Sequence, residues 1–177
     1  SLGGKLALNF LSEFPEKVKS FILLAPDGLK EIPWYTYTSK SRFLQTLYRY
    51  TIRKPKPFLN FVSAARFLKI IPNSLFKFLN YQFETKERRL LAYQSWVFYR
   101  NIFPQKENLI RVLAEHQTIV LLVVGRYDQV IKIKYAHYFK NSIYSKTEII
   151  ELPIGHDFFK QKNLETVKSE IIKSNYL

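Results

Sequence analysis

The 177-residue sequence contains no cysteine, no methionine and only five glycines. Without cysteine there is no disulfide framework and no thiol nucleophile. Only three histidines are present, and none sits in a cluster with metal-ligand spacing, so no metal and no organic cofactor is expected. No apolar run reaches the length of a bilayer-spanning helix. Acidic side chains are scarce: 14 Asp and Glu face 28 Lys and Arg, a net charge of +14. The chain does not open on methionine, and we expect it to be a piece of a longer protein. Its length still allows one sizeable core.

The scarcity is uneven. Glycine is absent from residues 32–112, where 18 of the 29 aromatic residues lie, with 15 Lys or Arg against Glu84, Glu87 and Glu107, a net of +12. Apolar residues at helical spacing and the punctuation of Pro55, Pro57, Pro72 and Pro104 predict helices over 41–52, 59–70, 73–81 and 86–101. The stripes Phe43/Leu47/Tyr50 and Phe67/Ile70/Ile71 read as packing surfaces.

The flanks follow a different rhythm. Leu6, Phe10 and Leu11 predict a helix over 2–13, and Val18 to Ala25 is an apolar run ended by Pro26-Asp27-Gly28, which reads as a buried strand. Strand, helix, strand and helix follow over 113–177, with strands at Thr118–Gly125 and Ile149–Leu152 and a final helix over 164–175. Alternation of this kind predicts a parallel sheet covered by helices, an α/β fold.

Chemistry-bearing residues sit where these strands end. Ser1-Leu2-Gly3-Gly4 precedes the first helix, with Gly3 as the small neighbour of an exposed serine. The Leu2 N–H, at a helix start, can face a developing oxyanion. Asp128 follows the strand-turn Val124-Gly125-Arg126-Tyr127, and His156 follows Ile154-Gly155 after the next strand. Competitors exist for each role. Asp27 also follows a strand, Asp157 adjoins His156, His137 lies within a helical stretch, and His116 ends one. A serine at a chain start can also use its own α-amine as base, on a different fold.

The segments Ser1-Leu2-Gly3-Gly4, Phe21-Ile22-Leu23-Leu24-Ala25-Pro26, Val124-Gly125-Arg126-Tyr127-Asp128 and Gly155-His156-Asp157-Phe158-Phe159 together resemble the C-terminal part of an α/β-hydrolase-fold serine hydrolase. The resemblance covers 1–31 and 113–177. It implies a partial α/β-hydrolase fold whose N-terminal strands are absent, with 32–112 inserted as an all-helical cap roofing the site. It further implies Ser1 as nucleophile, His156 as general base and acid, Asp128 as the residue orienting that histidine, and Leu2 as one oxyanion-hole donor. The glycine two residues before the serine and the second oxyanion donor lie outside the chain. A sheet stripped of strands is expected to leave apolar edges on Val18–Ala25 and Thr118–Gly125, and so to be poorly soluble alone.

The expected activity is cleavage of a carboxylic ester or related acyl bond through an acyl-enzyme, on a small and largely apolar substrate. The alternative is a non-catalytic module that uses its basic, aromatic helices on an anionic membrane surface or on nucleic acid. Arg49-Tyr50-Thr51-Ile52-Arg53-Lys54-Pro55-Lys56 and Lys86-Glu87-Arg88-Arg89 are the patches for that reading, but no nucleic-acid-binding fold motif accompanies them, and no nucleic-acid partner is expected.

Overall fold

A computed structural model describes residues 2–31 and 33–174. Along the chain, helix α1 (Gly3–Glu13) and a short 3-10 turn (Pro15–Lys17) lead into strand β1 (Ser20–Leu24). Five helices follow: α2 (Pro33–Lys40), α3 (Arg42–Arg53), α4 (Lys56–Phe67), α5 (Asn73–Phe83) and α6 (Lys86–Phe98). The chain then alternates through α7 (Lys106–His116), β2 (Ile119–Gly125), α8 (Ile133–Ser142), β3 (Glu148–Leu152) and α9 (Gln161–Lys173). It divides into two compact units: residues 1–31 with 102–177, and residues 32–101.

The first unit is built on a three-stranded parallel sheet in the order β1-β2-β3, with Leu23 opposite Leu122 and Val123 opposite Ile150. Side chains alternate across β2, so each face receives its own core. Val120, Leu122 and Val124 meet Leu8 and Leu11 of α1, Leu109, Val112 and Leu113 of α7, and Ala136 and Phe139 of α8. Leu121 and Val123 meet Ala25, Ile131, Leu152, Phe158 and Val167 of α9. Both faces being covered explains why β2 reads as an unbroken apolar run. Each such buried Leu or Val contributes roughly 1.5–3 kcal/mol relative to an exposed one.

Two expectations change here. Thr118–Gly125 is the central strand, paired on both sides, and not an edge. The helical segment expected over 32–112 ends at 101, because Leu109, Val112 and Leu113 of α7 are buried in the core of the sheet.

The second unit holds an aromatic cluster. Tyr48 of α3 stacks on Trp96 of α6 at 5.5 Å between ring centroids, and Phe58 stacks on Phe83 at 4.4 Å. Burial pushes the Tyr48 hydroxyl up to about 12. Arg89, expected in an exposed basic patch, is buried. Its Nε donates to the Ile52 carbonyl at 3.1 Å and an η nitrogen donates to the Phe83 carbonyl at 2.6 Å, so one guanidinium satisfies the C-terminal ends of α3 and α5. The stripes read as packing surfaces turn outward instead: Phe43, Leu47, Tyr50, Phe67 and Ile70 are exposed. The core of this unit uses Ile52, Val62, Ala65 and Phe83, on other faces of the helices.

Candidate active site

Three loops leave the C-terminal ends of the three parallel strands and therefore emerge at one edge of the sheet, where open α/β sheets carry their sites. The loop after β2 carries Asp128. Its position is fixed by backbone bonds: Arg126 N–H to the Leu152 carbonyl at 2.8 Å, Tyr127 N–H to Ile154 at 3.0 Å and Asp128 N–H to Gly125 at 3.1 Å. The first two bind the β2 loop to the β3 loop that carries His156. Gly125 makes this approach possible, since a Cβ there would stand 2.5 Å from the Ile154 carbonyl oxygen and 2.7 Å from that of Gly155.

Asp128 is buried, and both carboxylate oxygens are engaged. Oδ1 accepts from the N–H groups of Val130 at 2.8 Å and Ile131 at 2.9 Å. Oδ2 lies 2.7 Å from Nδ1 of His156, whose ring is about a quarter exposed. In the tautomer with the proton on Nδ1, that nitrogen donates to the carboxylate and Nε2 is an acceptor. In that tautomer the pair orients the imidazole through Nδ1.

The competing residues fall elsewhere. Asp27 pairs with Lys5 at 3.4 Å; the Lys5 side chain is only 4% exposed, against 25% for Asp27. Asp157 pairs with Lys160 at 3.1 Å. Burial alone would raise the Asp157 carboxyl, but the hydrogen bond and charge of Lys160 outweigh it and hold the group below the usual carboxylate range. His116 and His137 are exposed.

At the start of α1, Leu2 has helical dihedrals (φ −55°, ψ −35°), so its N–H lies in the helix-start region that lacks intrahelical partners. Ser1 lies outside the described residues. The sequence assigned the need for a small residue to Gly3, yet among the described residues nothing lies within 4 Å of a Cβ built there. The constraint falls on Gly4, where a Cβ would be 2.4 Å from the Pro26 side chain and 2.6 Å from the Asp27 carbonyl. Gly4 thus lets α1 pack against the turn after β1. Lys5 and Gly4 are the residues that sequence reasoning missed; a lysine on the inner face of an apolar helix was the available signal.

Among the described residues no group of three or more His, Cys, Asp or Glu is placed to hold a metal, and no helix is long and apolar enough to cross a membrane. No protein-family model and no curated protein matches the sequence. The structure, however, resembles solved enzymes. A thermophilic esterase from Thermogutta terrifontis aligns with a TM-score of 0.58 and 14% identity, over 98% of this chain and 62% of that one. The 2-hydroxy-6-oxo-6-phenylhexa-2,4-dienoate hydrolase of Rhodococcus sp. strain RHA1 aligns at 0.53 and 17%, over 98% and 60%. A structure from a study of carboxylesterases of Nitrososphaera gargenis aligns at 0.52 and 14%, over 98% and 62%. The chain therefore spans about three fifths of the length of these structures. With the parallel sheet and its flanking helices, the likeness defines the fold: this chain is part of an α/β-hydrolase fold.

Proposed function

We propose that this chain carries the catalytic residues of a serine hydrolase acting on a carboxylic ester or related acyl bond of a small, largely apolar molecule. The observation that carries the reading is the 2.7 Å pair between Asp128 Oδ2 and His156 Nδ1, with the carboxylate buried and anchored by two backbone N–H groups. A fold hosts many chemistries, so the argument rests on this pair and its place at the strand ends.

In the proposed reaction Ser1 Oγ attacks the acyl carbonyl while His156 Nε2 takes its proton. Asp128 holds the tautomer and stabilises the imidazolium. The Leu2 N–H donates to the oxyanion. The imidazolium then protonates the leaving alcohol, giving an acyl-enzyme. Water, deprotonated by His156, attacks that ester; the acid departs and Ser1 regains its proton.

The test uses the full-length protein that contains this chain. A fluorophosphonate probe should label Ser1, mapped by mass spectrometry of the tagged peptide, and labelling should slow strongly in His156→Ala and Asp128→Asn. A folded parent that stays unlabelled overturns the proposal, as does a parent labelled at a serine other than Ser1.

A further inference from the structure

The connection between α4 and α5 combines three properties that do not normally coincide. First, it exposes large apolar side chains in succession: Phe67 is 86% exposed, Leu68 63% and Ile70 70%, with Phe61 of α4 at 69%. Leu68 is the residue that caps the C-terminal end of α4. Phe67 is the last residue of α4, Leu68 is its C-cap and Ile70 lies beyond the left-handed Lys69, so the apolar run wraps the end of the helix and is not a stripe along it. That separates this tip from the exposed stripe Phe43, Leu47 and Tyr50 on α3, a single face that one neighbouring element would bury.

Second, α4 ends in a tight backbone cap. The Ile70 N–H donates to the Ala65 carbonyl at 2.9 Å and the Lys69 N–H to that of Arg66 at 3.0 Å. Lys69 is left-handed, with φ 58°. Glycine favours this position, because a Cβ costs roughly 1–2 kcal/mol there. A lysine in it places a cation between Leu68 and Ile70 at the expense of backbone ease. Third, the surrounding unit is strongly basic, with 13 Lys or Arg against Glu84 and Glu87 over residues 32–101, and Arg66 immediately precedes the apolar run.

We propose that the tip formed by Arg66, Phe67, Leu68, Lys69 and Ile70 is an interfacial anchor for an anionic lipid bilayer. Phe67, Leu68 and Ile70 enter the headgroup–acyl boundary, and Arg66 and Lys69 remain at the phosphate level. A bilayer accepts a cluster of large apolar side chains at a chain reversal, and anionic headgroups complement the charge of the unit. The inference stands apart from the hydrolase reading, since none of these residues belongs to the proposed catalytic set.

The experiment is flotation of the full-length protein with phosphatidylcholine vesicles, with and without phosphatidylserine. The parent should float with the mixed vesicles and much less with phosphatidylcholine alone. F67S/I70S should weaken partitioning by about tenfold or more. K69G, which suits the left-handed backbone and so keeps the fold, should weaken binding to the mixed vesicles by about fivefold while leaving hydrolysis of a soluble short-chain ester unchanged. Overturning results are a parent that does not float, variants that float like the parent, or a parent dimer that the same substitutions dissociate without any vesicle binding. The last outcome would assign the tip to a second copy of the chain.

Discussion

Asp128 Oδ2 and His156 Nδ1 meet at 2.7 Å across 28 positions of sequence, and the other oxygen of the same carboxylate caps the Val130 and Ile131 N–H groups. One side chain thus fixes its own loop and the imidazole together. These two duties respond differently to substitution.

Asp128→Asn keeps a carbonyl oxygen for the backbone N–H groups but presents an NH2 to His156, favouring the wrong tautomer. In serine proteases with this arrangement the equivalent change lowers turnover about 10⁴-fold. We expect a loss of similar order in ester hydrolysis with a near-parental melting temperature. Asp128→Ala should lose as much activity and also about 2 kcal/mol of stability, through the two uncapped donors. Paired kinetics and thermal melts check both.

Asp27→Asn tests the alternative acid. Because Asp27 pairs with Lys5, this variant should retain hydrolysis within about tenfold of the parent while losing stability. It should also cost more stability than Lys5→Met, since the buried partner is the lysine. Loss of activity as severe as in Asp128→Asn, in a folded protein, would move the acid to Asp27.

The glycines separate by the space around them. Gly4→Ala must displace the Pro26–Asp27 turn, and Gly125→Ala the loop leading to His156, so each should cost about 1–3 kcal/mol. Gly125→Ala should lower kcat as well. Gly3→Ala meets open space among the described residues and should raise stability by up to about 1 kcal/mol. Urea denaturation of the three variants gives the ordering.

Alkaline pH should weaken the aromatic cluster. Tyr48 ionises at about 12 when folded, against about 10 when exposed, so the folded chain holds its proton more tightly. Stability from this group is complete below the unfolded value. It should fall as pH rises through the interval from about 10 to about 12, since the unfolded chain then binds fewer protons. Tyr48→Phe should flatten that part of the stability–pH curve and remove a phenolate absorbance that titrates at about 12.

The sequence by itself determined the local structure and the order of the chemical groups. Val18–Ala25 and Thr118–Gly125 are legible as strands because burial on both faces demands continuous apolar runs, and the expected boundaries lie within a residue or two of β1 and β2. Helices α3 to α6 are legible because proline punctuates a helical period, although α4 begins and ends three residues earlier than its apolar pattern does. Asp128 and His156 are legible as residues that follow strands.

Tertiary structure decided what depends on distance between remote segments. Asp27 and Asp128 have the same local setting, a turn after a strand, and only the fold gives one to Lys5 and the other to His156. Gly3 and Gly4 are equivalent as letters, and only the approach of Pro26 separates them. Arg89 resembles its neighbour Arg88 in sequence, yet it is buried because the carbonyl ends of α3 and α5 converge on it. The stripes of α3 and α4 have the period of packing surfaces, but periodicity records only that a helix has an apolar side. Whether another element covers that side depends on the packing of the whole chain.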